Sequence, residues 1–210
     1  MKERPILFSG EMVRAIWEDR KTHTRRLKGL KIINEHPDWH SSAHQNGDGD
    51  WVFWYPDRPG LEEFTLKAYP KGSKDGIKCP YGKPGDLLWV RETWHDASFD
   101  DGYGSIQQSI IYRATDEYPG PWRPSIFMPR WASRLTLKIA NVRVERLQEI
   151  SVEDCIAEGI NQDSPLNNYG TGAIVRDAFA ALWDSINAKR GYPWDDNPWV
   201  WVIEFERVLA

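Results

Sequence analysis

The chain has 210 residues, of which 28% are charged and 40% hydrophobic, and its formal net charge is -4. This composition is typical of one soluble globular domain, or of one domain with a large insertion, and it excludes a disordered chain. No apolar run approaches the roughly 20 residues of a membrane span, so no membrane association is expected. The two cysteines are far apart and form no CxxC pair, which predicts a reducing, cytoplasmic location.

The opening residues predict a short strand and then an amphipathic helix. Residues 5–8 (PILF) are apolar, and Ser9 is a suitable N-cap for a helix over residues 10–19. A basic run begins where that helix should end. It contains no acidic residue and six cations, namely Arg20, Lys21, Arg25, Arg26, Lys28 and Lys31.

A second basic stretch, residues 123–146, holds six cations and one acidic residue, Glu145. Two positive stretches in an acidic chain favour a localised anion site, such as a site for a few phosphates, over the coating of a duplex. A solvated basic face is the alternative explanation for either stretch.

Residues 32–84 are rich in Gly, Pro, Asp and Ser, which predicts an insertion or lid with one hairpin around residues 51–55. His36, His40 and His44 are spaced four apart, but no carboxylate or Cys completes a ligand set at a recognisable spacing. We therefore expect no metal site. We also expect no cofactor, because the chain has no GxGxxG or P-loop motif.

The remaining elements predict an α+β fold. Strands are expected over residues 87–94 and 110–114, and residues 134–147 predict a long bent strand or a hairpin that turns near Ala140 and Asn141. Helices are expected over residues 151–159 and 173–188, and the most apolar strand covers residues 199–207. Because strands and helices do not alternate regularly, the pattern favours a small mixed or antiparallel barrel with flanking helices.

Lys21, Thr24 and Glu92 are the candidates for chemistry, since the common nucleophile and zinc motifs are absent. The arginines around Lys21 should lower its pKa, because like charges disfavour the protonated amine. Glu92 shares a predicted strand face with apolar residues, and these should raise its pKa. Such shifts suit a base and an acid that work near neutral pH.

The residues PILFSGEMVRAIWEDRKTHTRR resemble the ASCH domain family, a branch of the PUA-like barrels. The family signature is a turn residue, then a Lys, and three to five residues later a polar residue and an Arg. This chain has Asp19 where Gly is common, followed by Lys21, Thr24 and Arg26. Three later segments resemble a phage and prophage branch of the superfamily: PYGKPGDLLWVRETW, IFMPRWASRLTLKIANVRVERLQEIS and LWDSINAKRGYPWDDNPWVWVIEF.

The resemblance implies a single PUA-like domain over residues 1–210, with residues 32–84 as an insertion. Small bacterial ASCH proteins include an amidohydrolase that removes the acetyl group from N4-acetylcytidine with a Lys, a Thr three residues later and a downstream strand Glu. By that resemblance Lys21 is the base that activates Thr24 or a water, and Glu92 handles the proton of the leaving amine. The rival interpretation is a non-catalytic module of the same fold that binds RNA or modified DNA. A phage structural or assembly factor is a third.

The resemblance also suggests binding residues for a nucleoside or single-stranded RNA, with modified DNA as a further candidate partner. Arg25 or Arg26 would hold an anionic group or the developing oxyanion. Trp94 and Trp131 would stack on the base, with ordinary core packing as the alternative for both. The second basic stretch would contribute two contacts to nucleic-acid phosphates, from Arg130 and Arg134.

Overall fold

A computed structural model describes residues 1–35, 42–46, 49–54, 76–100, 106–160 and 172–208. The main sheet has five strands in the order β1-β5-β8-β9-β2. They are β1 (Glu3–Leu7), β2 (His23–Arg26), β5 (Leu87–Arg91), β8 (Thr136–Arg146) and β9 (Trp199–Val208). Two smaller antiparallel sheets pair β3 (Ser42–Gln45) with β4 (Trp51–Trp54) and β6 (Trp94–Asp100) with β7 (Ile106–Tyr112).

Four α-helices accompany these strands in the described residues: α1 (Gly10–Trp17), α2 (Lys31–Glu35), α3 (Val152–Ala157) and α4 (Gly172–Asn187). The side chain of Ser9 caps α1, and that of Ser151 caps α3. None of these helices is long and apolar enough to span a membrane.

The α+β class predicted from the sequence is confirmed, but the described strands do not close into a barrel. β1 runs parallel to β5 and every other pair in the main sheet is antiparallel, which makes the sheet mixed. β1 and β2 are its open edges. A side chain links them, because Arg26 Nη2 donates a hydrogen bond of 2.8 Å to Leu7 O.

The last strand forms the middle of the core, because both of its faces are covered. Trp199, Trp201 and Ile203 pack into one apolar cluster with residues of β1, α1 and β8. Val200 and Val202 pack on the opposite side of the sheet in a second cluster, which includes residues of α3 and α4. Helices α3 and α4 therefore cover one face of the sheet beside β9 and its edge neighbour β2.

Two predicted strands differ in detail from the structure. The strand predicted over residues 87–94 ends at Arg91, and Trp94 begins β6, which pairs with β7 instead of with the main sheet. Residues 136–146 form one strand, and the predicted turn near Ala140 is a β-bulge between Ile139 and Asn141. The hairpin expected around residues 51–55 corresponds to β3 and β4, although Tyr55 lies outside the described residues. The assignment of residues 32–84 to an insertion stays a prediction.

Candidate active site

The basic run turns back onto the end of α3 before it enters the sheet. Asp19 has a φ of 57°, which places it in the left-handed region and ends α1 sharply. Lys21 then forms an isolated antiparallel bridge with Glu158, and Thr22 N donates a hydrogen bond of 2.8 Å to Ala157 O. Gly159 has a φ of 92°, and a Cβ there would lie 3.1 Å from the Ala15 side chain, so the left-handed backbone and the close approach both favour a glycine.

Lys21 and Glu158 form a buried ion pair at this bridge. Lys21 Nζ donates to the Glu158 carboxylate oxygen Oε2 at 2.6 Å and to the Glu158 carbonyl oxygen at 2.8 Å. The exposed fractions of the two side chains are 0% and 5%. Burial lowers the pKa of Lys21 and the nearby arginines lower it further, whereas Glu158 opposes the shift. The lowered pKa agrees with the sequence expectation in direction, although burial contributes more than the arginines.

Arg25 holds the other oxygen of the same carboxylate. Its guanidinium donates to Glu158 Oε1 at 3.3 Å, to Asp154 Oδ2 at 2.7 Å and to Glu145. Arg143 contacts Glu145 and Asp154 from the other side. Burial alone would raise the pKa of Asp154, but hydrogen bonding and charge from the two arginines lower it. Since Lys21 holds one carboxylate oxygen of Glu158 and Arg25 holds the other, cations fix both oxygens.

A cavity of about 310 Å³ opens beside this pair, between β2, α4 and the first turn of α1. Thr24, Arg25 and Glu158 line it and are buried. Helix α4 contributes an apolar wall that consists of Phe179, Leu182, Trp183 and Ile186. The exposed residues Lys28 and Arg190 form part of its rim. The volume lies at the lower end of the range for small-molecule sites.

The structure brings Thr24 and the Lys21–Glu158 pair to one place, but it does not bring Glu92 there. Glu92 accepts hydrogen bonds from Arg134 Nε at 2.9 Å and Nη2 at 3.0 Å, a bidentate pair in which the carboxylate is buried and the guanidinium is half-buried. Burial raises the pKa of Glu92, and Arg134 opposes the shift. Glu92 is not among the residues that line the cavity. It directly follows β5, and β8 and β9 separate β5 from β2 in the sheet.

Glu158 is a buried acidic residue at the cavity that the sequence analysis did not single out. It follows the last residue of α3, where a negative side chain opposes the helix dipole. A carboxylate in that position, directly before a glycine, is the signal that could have found it. Its partner Lys21 lies 137 residues away in sequence, so local spacing alone could not pair them.

The proposed binding residues do not all lie at the cavity. Arg26 lines the cavity, whereas neither tryptophan does. Trp94 is buried and packs edge-on against the exposed Trp131, with 5.9 Å between ring centroids. Arg130 is paired with Glu3 at 2.7 Å, so both arginines proposed to contact phosphates, Arg130 and Arg134, already have carboxylate partners.

Among the described residues, no group of three or more His, Cys, Asp or Glu side chains is arranged to hold a metal ion. His36 and His40 lie outside the described residues. No family model matches the chain, and neither the curated proteins nor the solved structures give a match. The geometry of the site and the sequence resemblance must therefore support any functional assignment.

Proposed function

We propose that this chain is a PUA-like amidohydrolase of the ASCH type that acts on an acylated cytidine-type nucleoside such as N4-acetylcytidine. One observation carries the proposal: the buried Lys21, whose pKa is lowered, is bound to the carboxylate of Glu158, and Glu158 and Thr24 line the same cavity. The chemistry follows from these groups, and the identity of the substrate follows from the resemblance.

The proposed reaction starts with proton transfer from the nucleophile. The hydrogen-bonded Lys21–Glu158 pair accepts the proton of Thr24 Oγ1, and the oxygen attacks the carbonyl carbon of the acyl group. The C–N bond then breaks, and the pair returns the proton to the leaving amine. Water hydrolyses the resulting threonine ester, so the sum of the steps is amide plus water to amine plus carboxylic acid. If Thr24 only positions a water, that water loses the proton instead.

Two arginines have separate proposed roles beside the reacting groups. Arg25 is a positioning residue, because it holds Glu158 Oε1 while Lys21 holds Oε2. Arg26 is placed to hold an anionic group of the substrate, since it lines the cavity and has no carboxylate partner among the described residues.

The arrangement of charges favours this proposal over a non-catalytic nucleic-acid module. A module that binds an RNA or DNA strand needs a continuous groove of uncompensated cations. Arg130, Arg134 and Arg143 of the second basic stretch are instead bound to carboxylates. This stretch therefore offers few free cations to a strand.

Two glutamine variants test the assignment of the acidic group. We expect Glu158→Gln to lower the turnover of N4-acetylcytidine by roughly a hundredfold or more, the usual scale for losing acid–base catalysis. Glu92→Gln also removes a buried carboxylate, and we expect it to keep turnover within a few-fold. Turnover is measured by mass spectrometry of the released cytidine, on samples whose folding is checked by thermal melting. A large loss in Glu92→Gln with full activity in Glu158→Gln would return the role to Glu92.

A further inference from the structure

Three cations at the cavity differ from the other basic residues of the site because they have no ion-pair partner among the described residues. Arg26, Lys28 and Arg190 line the cavity, and none of them forms an ion pair with a carboxylate within the described part of the chain. Arg25, by contrast, contacts three acidic side chains. In a chain of net charge -4, three uncompensated cations at one cavity indicate attraction for an anion.

The three cations come from two segments of the chain, and all three line the cavity. Arg26 ends β2, Lys28 follows it in the next loop, and Arg190 belongs to the 3-10 turn Ala188–Arg190 after α4. Burial lowers the pKa of Arg26, and the charge of Arg190 also lowers it, so the two guanidinium groups are close enough to repel each other. An arginine remains protonated at any pH near neutrality, and a bound anion would relieve this repulsion.

Arg26 is held in place and still has hydrogen-bonding capacity. Its Nη2 donates to Leu7 O at 2.8 Å, and its guanidinium carbon lies 4.8 Å from the centroid of the Phe8 ring. Its Nε is buried and has no hydrogen-bond partner among the described residues. A buried donor without a partner is costly unless a ligand satisfies it.

The rest of the cavity offers aromatic surface on which a flat ring can stack. Phe179 and Trp183 of α4 contribute aromatic surface, and the indole N–H of Trp183 is already bound to Tyr192 O at 2.9 Å. Glu158 does not oppose an anion, because Lys21 and Arg25 neutralise it. The cavity therefore combines a ring-binding wall with a cationic rim.

We infer that the ligand of this cavity carries a phosphate, which binds at Arg26, Lys28 and Arg190, and that it is a mononucleotide rather than an uncharged nucleoside. The phosphate follows from the cations, whereas the cytidine-type ring rests on the function proposed above. A free mononucleotide fits better than a strand, because three cations beside a cavity of about 310 Å³ offer contacts for one phosphate group and not for a series.

Calorimetry with matched ligands tests this inference. The probes are N4-acetylcytidine, its 5′-monophosphate, and a short single-stranded RNA that contains one N4-acetylcytidine. We expect the phosphate to tighten binding about tenfold at low salt, which corresponds to about 1.4 kcal/mol. The gain should shrink as salt rises, because the rim cations are exposed to solvent.

The variants Lys28→Met and Arg190→Met test the rim without disturbing the buried pair. Each should reduce the ratio of the two dissociation constants, nucleoside over mononucleotide, measured on the same variant. Lys138→Met is the matched control, because Lys138 is exposed on β8 and does not line the cavity. It should leave that ratio unchanged. Both rim residues are exposed, so we expect the variants to fold, and thermal melting checks this.

The outcomes separate this inference from the proposed function. Equal affinities for the nucleoside and the mononucleotide, or a ratio that Arg190→Met leaves intact, would overturn the phosphate site. Tighter binding of the RNA than of the mononucleotide would overturn the choice of a mononucleotide. If the mononucleotide binds more tightly but is not hydrolysed, the phosphate site stands and the amidohydrolase proposal fails. Hydrolysis without any preference for phosphate would support the amidohydrolase and overturn the phosphate site.

Discussion

The substitution Glu158→Gln should destabilise the fold by an amount that depends on pH. The variant leaves the ammonium group of Lys21 buried without its carboxylate partner. Removing one member of a buried ion pair typically costs about 3–5 kcal/mol. We expect the lower end of that range near neutral pH, because Lys21 Nζ keeps its hydrogen bond to Glu158 O and the amide oxygen of Gln can still accept one.

The pH dependence follows from the pKa of Lys21. This pKa is already lowered, and Glu158 is the strongest influence that opposes the shift, so the variant should have a still lower value. At a pH between the Lys21 pKa of the folded variant and that of the folded unmodified protein, the folded variant binds fewer protons than the folded unmodified protein. The unfolded chains titrate alike at this lysine, and the stability penalty must therefore shrink as pH rises through that window.

Urea unfolding from about pH 6.5 to about pH 9 measures this penalty. Glu145→Gln is the matched control, because Glu145 is bound to Arg25 and Arg143, whose guanidinium groups do not lose their protons in this range. Its penalty should be nearly independent of pH. A penalty for Glu158→Gln that is below about 1 kcal/mol, or that does not change with pH, would refute the description of the pair as a buried, coupled site.

Three further predictions concern other buried groups. Thr24→Val should lower turnover of N4-acetylcytidine roughly a hundredfold while KM stays within a few-fold, and steady-state kinetics that show normal turnover would rule out Thr24 as the nucleophile. Burial raises the pKa of Cys155 to about 11, so the folded protein should resist alkylation of this thiol by iodoacetamide near neutral pH until urea is added; rapid native labelling would contradict its burial. Arg134→Met should destabilise the fold by about 3 kcal/mol at neutral pH, because it leaves Glu92 buried and unpaired. That penalty should fall as pH falls and Glu92 gains a proton, and urea unfolding that shows a constant penalty would argue against the pair.

Elements with a strong apolar period could be predicted from the sequence alone. β9 alternates Trp, Val and Ile over its first residues, and its predicted range of 199–207 differs from the structure only by one residue at the end. Helix α1 has both a cap at Ser9 and apolar residues on one face, and it differs from the prediction only in ending at Trp17. In these segments local preference and burial in the core favour the same structure.

Features that depend on distant contacts could not be predicted in this way. β5 ends at Arg91 although the apolar alternation continues to Trp94, and Glu92 instead pairs with a side chain 42 residues later. The open edges of the sheet likewise depend on contacts between residues that are distant in the sequence. Their contact through Arg26 and Leu7 is a side-chain hydrogen bond between two strand ends, which strand periodicity does not encode.

The candidate site was predictable in part. Residue types and spacing single out Lys21 and Thr24 as candidates, and both are buried in the structure, while their catalytic roles stay predictions. The assignment of the acid to Glu92 stays a prediction, but the structure pairs Glu92 with Arg134 and does not place it at the cavity. Only the folded chain brings Glu158 to within 2.6 Å of Lys21 Nζ.

The central claim is that the Lys21–Glu158 pair removes the proton that starts amide hydrolysis. The most direct test measures the release of cytidine and acetate from N4-acetylcytidine by the unmodified protein and by Lys21→Arg. A guanidinium keeps the positive charge but does not deprotonate near neutral pH, so the variant should lose on the order of a hundredfold or more in turnover. Unchanged turnover in Lys21→Arg, or no release of product by the unmodified protein, would contradict the claim.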